Sequence, residues 1–461
     1  MPPSTGSAEV GQDAARDVRP LVTFYGDDFT GSTDALAQFH RVGLDGSLLI
    51  TPSDDVLARL AGRGTEVVGL AGISRSLSGA RLRDEVTRAL RWLQRLDAPF
   101  VQYKLCSTFD SSRGVGNLGE VVRLGQVIFA RRPVPVMPAQ PEFGRFTVFG
   151  HHFAREADTV YRLDRHPTMS THPSTPMRES DLRVELGSQA DITVAGLAVD
   201  DLRRPPDVTA QRFAELASSG DDAVVLDALT NDDIVAAGRL LWQRAQEDPL
   251  FAMGSGGMSF GVGQHLGAEG LAPGRREDPS VEPVERVLVL SGSLAPQTQR
   301  QIELAVGQGW VRVPVDLRSL VDPTTVDEEC ERALARIVAG YRRARGVVLD
   351  TLATGRVEPA RAHEDGDTSR TLGRGLARLL RGALREVELP RVIVCGGDTS
   401  GHTVTGAGVD ALTVRARLDV AVTMCRAWSL DDPVVDGLEM VLKGGQAGDV
   451  GLFGLALDGG G

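Results

Sequence analysis

Apolar residues along this chain come in short blocks, and each block is followed by a longer stretch with apolar positions at helical spacing. LVTFYG (21–26) precedes STDALAQFHRVG, EVVGLAG (66–72) precedes ARLRDEVTRALRWLQRL, and FVQYKLC (100–106) precedes a glycine-rich segment and LGEVVRLGQVIFARR. DITVAGL, DAVVLDAL and LFAMGS extend the series, and RVLVLSGS, WVRVPVD, GVVLDTLATG and RVIVCGGDTSG repeat it later in the chain. Strand-length runs alternating with amphipathic helices predict βαβ units and mostly parallel sheets. Residues 268–286, AEGLAPGRREDPSVEPVER, carry proline, glycine and charge without an apolar period, the composition of a linker. The expected class is therefore α/β: a disordered leader at 1–19, one α/β domain at 20–267, the linker at 268–286 and a second α/β domain at 287–461. The two mostly parallel sheets are expected to face a cleft. Residues 132–183, rich in proline, interrupt the alternation and predict a long irregular excursion, ordered and functional rather than a spacer.

Composition narrows the picture. At 461 residues the chain exceeds what one core usually serves, and 42% hydrophobic residues suffice for two. A formal charge of -12 argues against nucleic acid as a partner. Four scattered cysteines without Cys-x-x-Cys or metal spacing predict reduced thiols in a cytoplasm. No window approaches the roughly eighteen apolar residues of a membrane span, and the leader lacks the apolar core of a secretion signal. A homo-oligomer is compatible with all of this.

Ligands of open α/β sheets bind beyond the carboxyl ends of strands, so the polar clusters after apolar runs are the candidate sites. Asp27 and Asp28 follow LVTFYG directly; paired acids there can deprotonate or orient a hydroxyl or hold magnesium, and Asp28 or Thr30 can equally cap the next helix. Both readings stand. Lys104, with Cys106, Ser107 and the hydroxyls and acid of KLCSTFDSS, suits a small anionic polyol, and Arg75 in ISRSLSG could clamp a carboxylate. His166 and His172 each precede proline in extended segments; with no third ligand at zinc spacing they are read as substrate contacts or as serving domain closure.

Three small-residue turns follow strands in the second half: SGSLAPQTQRQIE from Ser291, CGGDTSGHT from Cys395 and LKGGQAG from Leu442. The middle one has P-loop-like glycine spacing without the lysine, which still leaves a nest of backbone N–H groups for phosphate. Together they point to a nucleotide. GSGGMSFGVGQHLG, from Gly254, misses the dinucleotide register and is read as tight helix packing.

YGDDFTGSTDAL, YKLCSTFDSS, RHPTMSTHPSTPM, VLSGS, GGDTSGH and LKGGQAG, in this order across the chain after the leader, resemble the four-carbon acid sugar kinases. The resemblance implies an N-terminal acid-sugar domain and a C-terminal nucleotide domain, with transfer of the ATP γ-phosphate, assisted by Mg²⁺, to the terminal hydroxyl of an aldonic-type acid. It implies substrate contacts from Asp28, Arg75, Lys104, Leu105, Cys106 and Ser107. It implies ATP contacts from Ser291 or Ser293, Gly396, Gly397, Asp398, Thr399, Ser400, Gly444, Gly445 and Gln446. Asp28 or Asp27 is the expected base and Asp398 the rival base or magnesium partner; no metal ligand is assigned. Lys-Cys-Ser-Thr-Phe-Asp-Ser is closer to the 3-oxo-tetronate kinases than to the threonate or erythronate kinases. GVGNLG (114–119) in place of their Gly-Asn-Ile-Gly and the divergent 132–171 region keep a branched 3-oxo acid, such as 3-oxo-isoapionate, as the alternative. A non-catalytic sensor of acid sugars or nucleotides is the rival from another class, and a nicotinamide oxidoreductase a third.

Overall fold

The computed structural model describes residues 19–61, 65–172, 174–274, 280–351, 366–419 and 422–460. The leader up to residue 18, the middle of the linker and the side chain of Asp398 lie outside the described residues. The chain divides into two compact units, Met1–Arg276 and Glu277–Gly461.

In the first unit the main sheet runs β2(Gly46–Leu49), β3(Val67–Ala71), β1(Val22–Gly26), β4(Phe100–Lys104), β11(Leu250–Gly254), β5(Val134–Met137), β10(Ala223–Leu226) and β9(Val194–Leu197), in that order. All its pairs are parallel, as βαβ crossovers require. β1, β3, β4 and β11 are buried along their whole length, which is why they read as unbroken apolar runs. Gly261 and Gly263, within 254–267, pack against neighbouring helices, as expected. A methyl group on Gly238 would lie 2.1 Å from the backbone carbon of Gly261, so the helices Asn231–Glu247 and Gly256–Ala268 touch backbone to backbone.

The excursion at 132–183 differs from the irregular course expected of it. It contributes β5 and then a three-stranded antiparallel sheet, β6(Arg145–Val148), β7(His151–Glu156) and β8(Thr159–Arg162). HHFARE alternates in burial with a period of two, a signal that the surrounding prolines masked.

In the second unit β13(Val311–Pro314), β14(Gly346–Asp350), β12(Val287–Ser291), β15(Arg391–Cys395) and β18(Glu439–Lys443) form a parallel sheet. It is extended by β17(Val422–Trp428) and β16(Ala411–Asp419), both pairing antiparallel. Val289, Ile393 and Val441, together with Ile302 and Phe453, anchor the core on one face. The register aligns Asp350, Ser291, Cys395 and Lys443 at the carboxyl ends of four neighbouring strands. Among the described residues no helix is long and apolar enough to cross a membrane.

Candidate active site

Strand β1 ends at Gly26 and the chain enters the helix Phe29–His40 two residues later. A methyl group on Gly26 would fall 1.9 Å from Ser32 Oγ, so this turn requires glycine. Asp27 and Asp28 fill it and are only 2% and 5% exposed. Asp28 caps the helix: its Oδ1 accepts from the Gly31 N–H at 2.9 Å and its Oδ2 from the Thr30 hydroxyl at 2.8 Å.

The neighbouring strands supply the counter-charges. Arg75 stands in the short turn Ser74–Ser76 after β3, where its own N–H bonds the Asp27 carbonyl at 3.1 Å. Its Nη2 lies 2.8 Å from Asp27 Oδ1 and 3.0 Å from Asp28 Oδ1, its Nε 3.3 Å from Asp27 Oδ2, and its Nη1 3.9 Å from Asp110 Oδ2. Lys104 ends β4 in register with Gly26, and its carbonyl accepts from the Asp27 N–H at 2.9 Å. Lys104 Nζ donates to the Leu105 carbonyl at 3.1 Å. A methyl group on Gly31 would lie 2.3 Å from Asp28 Oδ1 and 2.9 Å from Lys104 Nζ, so the ammonium and the carboxylate share the space above that glycine.

The adjacent acids are driven in opposite directions. Burial raises the Asp27 carboxyl above the ordinary aspartate range, the Asp28 charge adds to the rise, and Arg75 offsets only part of it. Burial alone would raise Asp28 too, but Arg75, Lys104 and the bonds from Thr30 and Gly31 together hold it below that range. Arg75, despite its burial, is held well above its usual value by Asp27 and Asp28. Two carboxyls separated in this way suit a proton acceptor beside a permanently ionised partner. Arg75 is already shared among three acids, so its charge is spent inside the protein rather than free for a ligand carboxylate.

The loop after β4 is placed by its backbone. Leu105 is fully buried, so its side chain belongs to the core and only its main chain faces the cluster. Burial, with Asp110 nearby, pushes the Cys106 thiol up to about 11, so it is a neutral group, 3.0 Å from Thr108 Oγ1. The Ser107 carbonyl accepts from His152 Nε2 at 2.8 Å. His166 and His172 brace local turns: His166 Nδ1 accepts from the N–H groups of Thr168 and Met169, both at 3.2 Å, and His172 Nδ1 from the Thr175 N–H at 3.1 Å. Asp110, His152 and Arg145 had not been singled out. Asp110 stood inside the KLCSTFDSS cluster, whereas the two others lie in the excursion, whose strands were not recognised.

In the second unit three turns meet at the strand ends. The Gly292 N–H bonds the Cys395 carbonyl at 3.2 Å and the Gly396 N–H bonds the Lys443 carbonyl at 3.0 Å. Gly396, at φ 121°, adopts a backbone conformation that side chains disfavour, and the helix Gly397–Ala407 follows with no side-chain cap. Its first N–H groups are unsatisfied donors at the positive end of the helix dipole. A methyl group on Gly397 or Gly444 would meet nothing within 4 Å, whereas one on Gly445 would lie 2.7 Å from Ser293 Oγ. Ser293 Oγ accepts from the Ala295 N–H at 3.2 Å, and the Ser291 hydroxyl is buried without a hydrogen-bond partner among the described residues.

The Ser400 hydroxyl turns back to donate to the Gly396 carbonyl at 2.6 Å. Thr399 is buried against Gly292, and Gln446 stands exposed in its turn. Lys443 went unassigned although it directly precedes the glycine pair: its Nζ, fully buried, donates to Thr298 Oγ1 at 2.9 Å, and that hydroxyl lies 2.8 Å from the Gly445 carbonyl. Among the described residues no three Asp, Glu, His or Cys side chains gather as a cation site.

A buried charge cluster suited to a polar acceptor in one α/β unit, and an anion nest in a second, are what a small-molecule phosphotransferase with separate acceptor and nucleotide units needs. Residues 22–261 match the family described as sugar-binding N-terminal domain, and residues 288–453 the family described as nucleotide-binding C-terminal domain. The chain is 38% identical over 450 residues, 95% of its own length and 94% of the relative's, to a 3-oxo-isoapionate kinase of Paraburkholderia graminis. It is 29% identical to a 3-oxo-tetronate kinase of Methylobacterium radiotolerans, over 94% of this chain and 97% of that one. A solved structure from Salmonella typhimurium LT2, described as a tRNA synthase, shares the fold with a TM-score of 0.74 at 22% identity, covering 94% of this chain and 97% of that one. A Haemophilus influenzae protein of the DUF1537 family does so with 0.68 at 21%, covering 94% and 98%. The chain belongs to the four-carbon acid sugar kinase family, and it is a sugar-acid kinase.

Proposed function

We propose that this kinase transfers the γ-phosphoryl group of ATP to the terminal hydroxyl of a short 3-oxo sugar acid, with 3-oxo-isoapionate ahead of 3-oxo-tetronate. The order rests on 38% identity to a kinase named for the first against 29% for one named for the second. The observation that carries the chemistry is the split between Asp27 and Asp28 around one arginine. Asp27, whose carboxyl burial raises above the ordinary aspartate range, takes the proton of the acceptor hydroxyl in its ionised form. Asp28 stays ionised, orients that hydroxyl and pins the helix. Lys104 attracts the acid's negative charge, and Arg75 holds the two carboxylates in place.

The nucleotide phosphates bind the N–H groups at Gly397 to Thr399, with Gly397 and Gly444 leaving the backbone open to them and Gly445 packed against Ser293. Mg²⁺ bound with ATP would neutralise phosphate charge during transfer, held mainly by phosphate oxygens and water. As the substrate oxygen bonds the γ-phosphorus, the bond from that phosphorus to the β,γ-bridging oxygen breaks. ADP leaves with the electron pair, and the hydroxyl proton passes to Asp27. The reaction belongs in the cytoplasm, and the free thiols Cys106, Cys330, Cys395 and Cys425 support that location.

The test is ADP release with Mg²⁺ over a panel of D- and L-threonate, D- and L-erythronate, 3-oxo-tetronate and 3-oxo-isoapionate. Turnover is expected on the 3-oxo acids, with the highest kcat/KM on 3-oxo-isoapionate. ATP binding with no turnover on any of them would overturn the proposal in favour of a sensor.

A further inference from the structure

The small antiparallel sheet has a polar face turned inward. Its register pairs Arg145 with Ala154, Thr147 with His152, and Ala154 with Tyr161, which sets these side chains on one face. Thr147, His152 and Ala154 are fully buried, so that face looks into the protein. His152 fixes its position. Burial lowers the imidazole to about 4, so the ring is neutral; it donates from Nε2 to the Ser107 carbonyl at 2.8 Å and accepts at Nδ1 from the Thr147 hydroxyl at 2.9 Å. The face is thereby tied to the same loop that carries Cys106 and Asp110, the latter reached by Arg75.

Arg145 is the exceptional member. Its Nη1 donates to the carbonyls of Phe143 at 2.8 Å and Arg155 at 3.2 Å, yet no carboxylate of the described residues lies within salt-bridge distance, and its Nε is buried without a partner. Burial lowers its guanidinium from the usual value, and the carboxylates of Asp110 and Glu156 offset part of that from beyond ion-pair distance. Four buried side-chain polar atoms of the first unit lack hydrogen-bond partners among the described residues, and three belong to Arg145, Glu156 and His166 on or beside this face, although Glu156 Oε2 lies 3.8 Å from His166 Nδ1. His166 packs edge-on against Tyr161, with ring centroids 5.8 Å apart. Arg145 is only half-buried, but its buried Nε without a partner is costly unless a ligand supplies an acceptor. Arg75 cannot be that ligand's partner at full strength, since three acids already share it.

We infer that Arg145 is a substrate-binding residue that takes the carboxylate of the sugar acid, making the inward face of the β6–β8 sheet the specificity wall of the site. The assignment rests on the sugar-acid reading above and adds to it the group that distinguishes an acid from a neutral sugar. A guanidinium fork matches a carboxylate in two parallel hydrogen bonds, which Lys104 with its point charge does not provide.

The experiment compares wild type, Arg145→Gln and Arg145→Lys with 3-oxo-isoapionate, 3-oxo-tetronate and erythrulose, a neutral four-carbon ketose. In Arg145→Gln the KM for the acids rises at least tenfold while the KM for ATP is unchanged, and the preference for acid over erythrulose collapses. Arg145→Lys recovers part of that preference. Acid-induced protection against thermal unfolding, strong in wild type, is weakened in both variants, most in Arg145→Gln. Wild-type acid KM and acid preference in Arg145→Gln would overturn the inference while leaving the kinase reading intact. If Arg145→Gln does not fold, Arg145→Lys decides: unchanged acid KM and unchanged protection by acid overturn it. Wild type that turns over no acid and gains no protection from any would overturn the sugar-acid reading and this inference with it.

Discussion

Arg75 grips Asp27 with two nitrogens, Nη2 at 2.8 Å from Oδ1 and Nε at 3.3 Å from Oδ2. In that bidentate pair Asp27 is nearly closed to water while the Arg75 side chain keeps 23% of its surface exposed, and the pair allows two adjacent buried carboxylates to exist side by side.

Asp27→Asn removes the proton acceptor while keeping the shape of the side chain. Turnover falls by about 10²- to 10⁴-fold, the range of general-base contributions. Steady-state kinetics with a saturating 3-oxo acid reads this directly, and the KM for ATP stays at the wild-type value.

The same group sets the pH dependence. Because burial raises Asp27 in the folded protein, the base is lost to protonation above the pH at which a free aspartate, near about 4, would be. The acid limb of kcat/KM is therefore displaced upward from the ordinary carboxylate range. It disappears in Asp27→Asn, whose residual activity is flat across that interval. A pH–rate profile of both proteins checks the sign.

Arg75→Ala leaves both carboxylates buried without their counter-charge. Breaking a buried pair in this way costs about 3–5 kcal/mol. Asp27, already raised, then rises further, so its penalty is absent while it is protonated in both states and grows as pH rises from the unfolded value toward the raised one. Urea unfolding finds the gap between variant and wild type smaller at pH 5 than at pH 7. For Asp28 in the wild type the sign is the reverse: held low in the fold, it stabilises above the unfolded value and loses that contribution as pH falls.

The strand-end turns were legible because glycine and short acids after an apolar run have few other uses: GDDFTG and CGGDTSG lead directly into helices. The partners were not legible, since Arg75 meets Asp27 across 48 positions, and only the parallel register of β3, β1 and β4 brings Arg75, Asp27 and Lys104 together. The role expected of Arg75 also depended on a free charge, which no sequence can show to be spent. The β6–β8 sheet was hidden by prolines on both sides, and with it Arg145 and His152. Lys443 preceded an evident glycine pair, but that its ammonium would be buried against Thr298 follows from packing of β18 and the helix Pro296–Gly307.

Gly396 and Gly397 are neighbours with different reasons to be glycine. Gly396→Ala forces a side chain into a positive-φ conformation and destabilises the second unit by roughly 1–3 kcal/mol. Gly397→Ala meets no protein atom, so the fold is retained and the added methyl obstructs only the phosphates. Thermal unfolding separates the two variants, and the KM for ATP rises in Gly397→Ala at an unchanged melting temperature.

The most direct measurement follows the phosphoryl group itself. The wild-type protein is incubated with Mg²⁺, 3-oxo-isoapionate and ATP labelled with ¹⁸O in the γ-phosphoryl group, and the products are analysed by mass spectrometry. The predicted result is a labelled phosphomonoester on the terminal carbon of the acid, formed in equal amount with ADP and suppressed in Asp27→Asn. Label found only in inorganic phosphate, or transfer at the wild-type rate in Asp27→Asn, would contradict it.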